Sequence, residues 1–167
     1  MKNSNLTKKL VRTAMIAAIY VVITLILAPI SYMGVQFRIS EVLVLLAYFD
    51  PFYVVGLTLG CFIANMLGPN GIVDVIFGTL ATFIAVSLIA ITAKKFKHSS
   101  KGLFIASLWP VIVNALIIGW ELNIFFGFPL ILSMIQVGFG EFVVVSVLGV
   151  VVFNILGSKV KIINRYL

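Results

Sequence analysis

Residues 72–93 read IVDVIFGTLATFIAVSLIAITA, an unbroken run of 22 residues in which Asp74 is the sole charged side chain. At about 1.5 Å per residue, a helix of this run extends for about 33 Å, which matches the hydrocarbon core of a bilayer. Of the chain's 167 residues, 62% are hydrophobic and 10% are charged, whereas soluble domains carry about 45–50% and about 25%. The sequence therefore predicts an all-α integral membrane protein.

Six apolar stretches follow one another along the chain, at residues 10–30, 39–49, 52–67, 72–93, 103–120 and 129–156. The second stretch is shorter than the roughly 20 residues that a transmembrane helix needs. Strong turn signals separate the stretches, among them Asp50-Pro51 and the GPNG sequence at 68–71. No linker divides the chain, so residues 1–167 are predicted to form a single membrane domain, and no cleavable signal peptide is expected.

The positions of the basic residues predict the topology. Eleven of the twelve Lys and Arg residues fall into three clusters, which are Lys2, Lys8, Lys9 and Arg12, then Lys94, Lys95, Lys97 and Lys101, and finally Lys159, Lys161 and Arg165. Because cytoplasmic loops are rich in Lys and Arg, all three clusters are assigned to the cytoplasm. An even number of crossings must then separate them, which requires the 39–49 stretch to cross. The prediction is a six-transmembrane-helix bundle with a short second helix and both termini cytoplasmic.

The composition also excludes several classes of function. With Cys61 as the single cysteine and His98 as the single histidine, the chain has neither a disulfide framework nor a His-based catalytic or metal site. It lacks a GxxxxGK[ST] phosphate loop, so any ATPase must be a separate subunit. The basic residues lie at membrane edges and do not indicate nucleic acid. We therefore expect a non-enzyme without a metal or cofactor.

Polar residues concentrate in the outer half of the predicted bundle. Glu141 lies about 18 Å into the last helix, where an ionisable residue costs about 2.5–3.5 kcal/mol and is a functional candidate by default. The alternative to a functional role is that Glu141 is simply protonated or paired inside the bundle. The candidate substrate-binding residues are Arg38, Glu41, Asn65, Asp74, Asn114, Trp120, Glu121, Gln136 and Glu141.

Several of these residues also have structural interpretations. Arg38 and Glu41 are three residues apart and can pair at the start of the second helix, while Asp74 suits the N-terminal dipole of the fourth. Asn65 and Asp74 flank the Gly-Pro turn, so they can approach each other. The surrounding aromatic residues complete what a pocket for a small, flat, polar solute needs, and they are Phe37, Phe62, Trp120, Phe125, Phe126 and Phe128.

Three pairs of small residues occur at helical spacing. They are Ala14 with Ala18, Gly56 with Gly60, and Ala81 with Ala85. Such pairs let helix backbones approach closely in lipid, and packing within the bundle is the expected role. The Ala14/Ala18 pair equally suits a partner subunit, because it lies in the first helix near the cytoplasmic edge. Cys61 is expected to be a packing residue.

The chain resembles the substrate-binding S components of energy-coupling factor (ECF) vitamin transporters, through its six-helix pattern and the sequence KKLVRTAMIAA at 8–18. Three segments are similar to the QueT-type family of queuosine-precursor transporters, namely VQFRISE at 35–41, GCFIAN at 60–65 and DVIFGTLAT at 74–82. The resemblance implies an S component in the cell membrane that captures its solute from outside. It also implies that Ala14 and Ala18 dock on a transmembrane coupling subunit, which two ATPase subunits drive.

The ligand that this resemblance implies is a 7-deazaguanine or related queuosine precursor. A carboxylate can accept the ring N–H and the exocyclic amine of a guanine-like edge together, and an aminomethyl cation calls for a second carboxylate. Glu141 or Glu41 is expected to read the edge, with Asp74 or Glu121 nearby. Three alternatives remain, which are an S component for a pyrimidine, flavin or thiamine-related vitamin, a self-sufficient proton-coupled carrier with Glu141 as its proton site, and an assembly protein without a ligand.

Overall fold

The computed structural model describes the backbone of residues 2–32 and 36–163 and the side chains of residues 6–32 and 36–156. Every regular element in these ranges is helical. The elements are α1 (Lys2–Ile26), α2 (Ala28–Ser31), a 3₁₀ helix (Ile39–Tyr48), α3 (Tyr53–Leu67), α4 (Ile72–Lys95), α5 (Ser100–Phe126), α6 (Leu130–Glu141), a π-helical segment (Phe142–Gly149) and α7 (Val150–Ile163).

Four of the described helical stretches are long and apolar enough to cross a membrane. They are Leu6–Ile26, Ile72–Lys95, Ser100–Phe126 and Leu130–Leu156, and two shorter apolar helices are Ile39–Tyr48 and Tyr53–Leu67. The predicted all-helical, multi-pass architecture is confirmed at this level. The count of six spans and the cytoplasmic termini stay predictions.

Two predicted boundaries were wrong. The first helix does not run unbroken to residue 30, because α1 ends at Ile26 and Pro29 lies in the separate turn α2, where the proline ring prevents helix continuation. The fifth helix does not end at Trp120 but continues to Phe126, and Gly127 ends it with a left-handed φ of 72°. Glu121, which follows the predicted end of this stretch at residue 120, is therefore part of α5.

The short second helix is wound as a 3₁₀ helix. At about 2.0 Å per residue, its ten residues (Ile39–Tyr48) extend for about 20 Å, against about 15 Å for the same residues in an α-helix. Val44, Leu45, Ala47 and Tyr48 are fully or almost fully buried, so this helix lies in the centre of the bundle. The tighter winding therefore lets a short segment reach across more of the core.

Small residues bring α1 against α3 and α4 against α5. A Cβ at Gly56 would lie 2.7 Å from the backbone oxygen of Thr13, and one at Gly60 would lie 3.1 Å from that of Ala17. Ala81 and Ala85 are buried in the cluster that joins α4 to α5 and α6. The predicted packing role is confirmed for these two small-residue pairs.

The last transmembrane stretch changes its winding in the middle. The π-helical segment begins directly after Glu141 and ends at Gly149, where a Cβ would come within 3.0 Å of Leu45 in the 3₁₀ helix. Ser107 of α5 and Ser146 are joined by hydrogen bonds of 3.0 and 3.1 Å. Segments of π-helix often occur at functional sites, and here the segment adjoins the buried Glu141.

Two of the predicted basic clusters lie at one end of the bundle, which we call the basic end. Lys9 lies 3.9 Å from Asp50, while Tyr48 donates a hydrogen bond to the Ser99 carbonyl and packs against His98. Since Ser99 lies between Lys97 and Lys101, the first two clusters share this end. The Lys2, Lys159 and Lys161 side chains, and all of Val35 and Arg165, lie outside the described residues.

Candidate functional site

A group of polar side chains is enclosed in the half of the bundle away from the basic end, and we call it the buried polar cluster. None of its members is more than 6% exposed, and Tyr20 and Cys61 are not exposed at all. The members are Tyr20, Arg38, Glu41, Cys61, Asn65, Asp74, Asn114, Glu121 and Glu141. Seven of the nine predicted substrate-binding residues are therefore brought together.

Arg38 and Asp74 form the ion pair of this cluster. Arg38 precedes the 3₁₀ helix in an extended conformation, and its guanidinium Nη2 lies 3.7 Å from Oδ2 of Asp74 in the first turn of α4. The predicted pairing of Arg38 with Glu41 was wrong, because Arg38 lies outside the helix and helical spacing does not apply to it. The ring of Tyr32 covers the guanidinium at 5.2 Å, and burial raises the pKa of the Tyr32 hydroxyl.

Asn65 and Cys61 connect α3 to α4 beside this ion pair. The Asn65 amide donates to the Asp74 carbonyl at 3.0 Å and to the Cys61 sulfur at 3.4 Å, so the predicted approach of Asn65 and Asp74 is confirmed. The Thr82 hydroxyl and Nη1 of the Arg38 guanidinium also donate to the Cys61 sulfur, at 3.1 and 3.8 Å. Cys61, which we expected only to pack, therefore helps to orient two members of the cluster.

The other side of the cluster contains two carboxylates with neutral donors. The Tyr20 hydroxyl donates a hydrogen bond to Glu41, and the Asn114 amide donates to Oε1 of Glu141 at 2.7 Å. Glu41 and Glu141 are close enough for their charges to interact. Tyr20 was not predicted from the sequence, although Thr13, Tyr20 and Thr24 are spaced by seven and four residues and mark one polar face of α1.

Several polar atoms of the cluster have no hydrogen-bond partner within the described part of the chain. They are Nε and Nη2 of Arg38, Oδ1 of Asn65, Oδ1 of Asp74, Oε2 of Glu121 and Oε2 of Glu141, although Nη2 lies 3.7 Å from Asp74 in the ion pair. Buried polar atoms in folded proteins are almost always paired with protein or water. A concentration of unpaired acceptors in one place is therefore what a site for a ligand with several hydrogen-bond donors requires.

Trp120 and Gln136 lie apart from the buried cluster. Trp120 is 41% exposed and contacts the rings of Phe77 and Phe125, and Gln136 is half-buried on α6. Most of the aromatic residues that we expected around the pocket are also exposed, namely Phe62, Phe125, Phe126 and Phe128. This outward-facing arrangement is typical of an aromatic belt at a membrane surface.

Ala14 and Ala18 are exposed on the outer face of α1. A groove runs along this face between α1 and α3, with Val22, Leu59 and Ile63 among its lining residues. No three His, Cys, Asp or Glu side chains of residues 6–32 and 36–156 come together in a way that could hold a metal ion.

Comparisons with known proteins cover nearly all of these helices. The model of the QueT transporter family matches residues 10–158. The queuosine precursor transporter QueT of Lactococcus lactis subsp. cremoris (strain MG1363) is 32% identical over 171 residues, which cover 97% of this chain and 99% of the relative. No solved structure matches the chain significantly.

Proposed function

The chain belongs to the QueT transporter family, and from that premise we propose that it is the solute-capturing S component of an ECF-type importer. Its solute is a queuosine precursor of the 7-deazaguanine type, which binds in the buried polar cluster. The hydrolysis of ATP takes place on two separate ATPase subunits. The chain itself works as a multi-pass protein of the cell membrane.

The observation that carries this proposal is the set of unpaired acceptors in the cluster. Asn65, Asp74, Glu121 and Glu141 each hold one buried oxygen that has no hydrogen-bond partner in the part of the chain that the structure describes. A deazaguanine supplies donors on its ring nitrogens and its exocyclic amine, and two adjacent donors can bind one carboxylate together. The free Nε of Arg38 is a matching donor for the ring carbonyl. Recognition of a flat, donor-rich base is therefore well suited to this site.

The course of the 3₁₀ helix supports six membrane crossings. Its first end lies by the Arg38–Asp74 pair near the start of α4, and its last residue, Tyr48, bonds to Ser99 just beyond the end of α4. Contacts made by the residues at the two ends of this ten-residue helix thus reach both ends of the 24-residue helix α4. Counting this helix and α3 as crossings gives six, with both termini on the cytoplasmic side.

The exposed face of α1 supports docking on a transmembrane coupling subunit. The other two small-residue pairs of the sequence are used inside the bundle, at the α1–α3 and α4–α5 contacts. Ala14 and Ala18 instead face outward beside the groove between α1 and α3. Small side chains on a lipid-facing helix allow a partner helix to approach closely.

The test is a binding titration of the purified full-length chain in detergent. The panel contains queuine, its aminomethyl and cyano deazaguanine precursors, guanine, riboflavin and thiamine. We expect a deazaguanine to bind tightly without other subunits, and we expect Glu141→Gln to weaken this binding. Binding of riboflavin or thiamine instead would overturn the proposed ligand but not the S-component role.

A matched uptake experiment tests the role itself. Cells that express the chain with its coupling and ATPase subunits should accumulate the deazaguanine, and cells without active ATPase subunits should not. Uptake that persists without the ATPases and stops when the proton gradient is dissipated would instead support a self-sufficient carrier.

A further inference from the structure

The four carboxylates of the buried polar cluster differ in what already neutralises or solvates them. Asp74 has the Arg38 cation at 3.7 Å. Glu41 and Glu141 each accept a hydrogen bond from a neutral group, the Tyr20 hydroxyl and the Asn114 amide. Glu121 has an unpartnered Oε2, and it has neither a neutral donor nor an ion-pair partner among the described residues. Among the described residues, Glu121 is therefore the acid of the cluster with the fewest hydrogen-bond and ion-pair partners.

Glu121 is nevertheless directed into the cluster. It is 1% exposed, and its carboxylate is close enough to Asp74 and Arg38 for their charges to interact. The amide oxygen Oδ1 of Asn65, whose amide nitrogen donates to the Asp74 carbonyl, is also buried and without a partner among the described residues. Glu121 and Asn65 thus each keep an open acceptor, while the Arg38 charge is already shared with Asp74.

Glu121 and the second acid site lie at different levels along α5. Asn114 and Glu121 are seven residues apart on α5, so they lie on one face about 10.5 Å apart along the helix axis. Asn114 holds Glu141 at the inner position. A ligand that contacts both acids must therefore extend along α5 between these two levels, as an elongated fused-ring heterocycle with a substituent can.

We propose that Glu121 is a subsite for a positively charged amine on the ligand, while Glu141 and Asn114 bind the N–H edge of its ring system. This inference rests on the proposed function and deepens it, because it names the substrate class: a flat deazaguanine that carries a protonated amine. Glu121 is then the residue that determines specificity between charged and neutral precursors.

The charges of the cluster explain why a cation fits better than a neutral group. Glu41, Asp74, Glu121 and Glu141 face a single buried cation, Arg38, within the described residues. A buried carboxylate is costly unless it is paired, and a protonated amine supplies both charge and several donors. A nitrile at the same position has no proton to donate and presents the negative end of its dipole to the carboxylate.

The experiment is a comparison of two ligands on three proteins. The full-length chain, Glu121→Gln and Glu141→Gln are titrated in detergent with the aminomethyl and the cyano deazaguanine. We expect the unmodified chain to prefer the aminomethyl compound by about 10- to 100-fold, as a charge-assisted hydrogen bond predicts. In Glu121→Gln this preference should disappear, because aminomethyl binding should weaken by a larger factor than cyano binding. Glu141→Gln should weaken both compounds by similar factors.

The outcomes separate this inference from the proposed function. Equal affinities in the unmodified chain, or an undiminished preference in Glu121→Gln, would overturn the inference alone. Absence of binding for both deazaguanines would overturn the proposed function and the inference with it. Cyano binding that is retained in Glu121→Gln, even if weaker, reports that the variant is folded. If that variant does not fold, Glu121→Asp replaces it. The inference then expects Glu121→Asp to keep the preference for the aminomethyl compound, and loss of that preference in a variant that still binds the cyano compound would contradict it.

Discussion

Replacing Arg38 by methionine removes the one cation among the described residues that faces the buried acids, while it keeps a side chain of similar length. At the 3.7 Å separation from Asp74, and with an effective dielectric constant of about 20, the lost attraction is about 4.5 kcal/mol. Removing one partner of a buried pair costs about 3–5 kcal/mol in measured cases. For a domain of this size, that corresponds to a decrease in Tm of roughly 6–20 °C.

The assay is thermal unfolding in detergent of the unmodified chain, Arg38→Met, Asp74→Asn and the double variant. The double variant should be more stable than Arg38→Met alone, because it no longer buries an unpaired Asp74 carboxylate. Arg12→Met is the matched control, since Arg12 is exposed on α1 and its replacement should leave the Tm unchanged. An Arg38→Met variant as stable as this control, or a double variant with simply additive losses, would refute the reasoning.

Three further substitutions test other parts of the structure. Gly56→Ala places a methyl group 2.7 Å from the backbone of α1, so it should cost about 1–3 kcal/mol of unfolding free energy. Gly138→Ala is the control, because its nearest contact is 3.3 Å, and its unfolding free energy should stay within about 1 kcal/mol of that of the unmodified chain. Equal losses in the two variants would contradict the close α1–α3 contact. Ala18→Trp should abolish cellular uptake but preserve ligand binding in detergent. Tyr20→Phe leaves buried Glu41 without its donor and should cost about 1–3 kcal/mol, measured by thermal unfolding.

The helical architecture was accessible from the sequence because lipid imposes simple rules. A span of hydrocarbon must be crossed by a helix that satisfies its own backbone, so apolar length alone located the four long stretches. The turn signals were equally reliable, since Pro51 and the GPNG sequence at 68–71 lie between helices, as expected. The end of α5 was missed because Gly127, not the last apolar residue of a window, stops the helix.

The partners within the site were less accessible, because they depend on which helices are neighbours. Spacing favoured Arg38 with Glu41, yet Arg38 meets Asp74 from a helix that begins more than 30 residues later. Cys61 has an apolar sequence context, and only the packing of α3 on α4 brings the Thr82 donor to its sulfur. The π-helical winding after Glu141 has no signal in the local sequence that we recognise.

The burial of the acids indicates that they are present because they bind a ligand, and not because they stabilise the fold. An acid near the centre of a transmembrane helix, as Glu141 is, carries an insertion cost of about 2.5–3.5 kcal/mol, and an apolar residue in its place would carry none. The Arg38–Asp74 pair compensates one acid, and neutral donors partly compensate Glu41 and Glu141. Glu121 has no such compensation among the described residues, although ordinary helix packing would accept a leucine there. A residue that destabilises the ligand-free protein in this way is expected to stabilise the ligand-bound protein, so ligand binding should raise the Tm of the chain. Glu121→Gln should reduce this increase in Tm for an amine-bearing ligand, and it should leave the ligand-free chain no less stable.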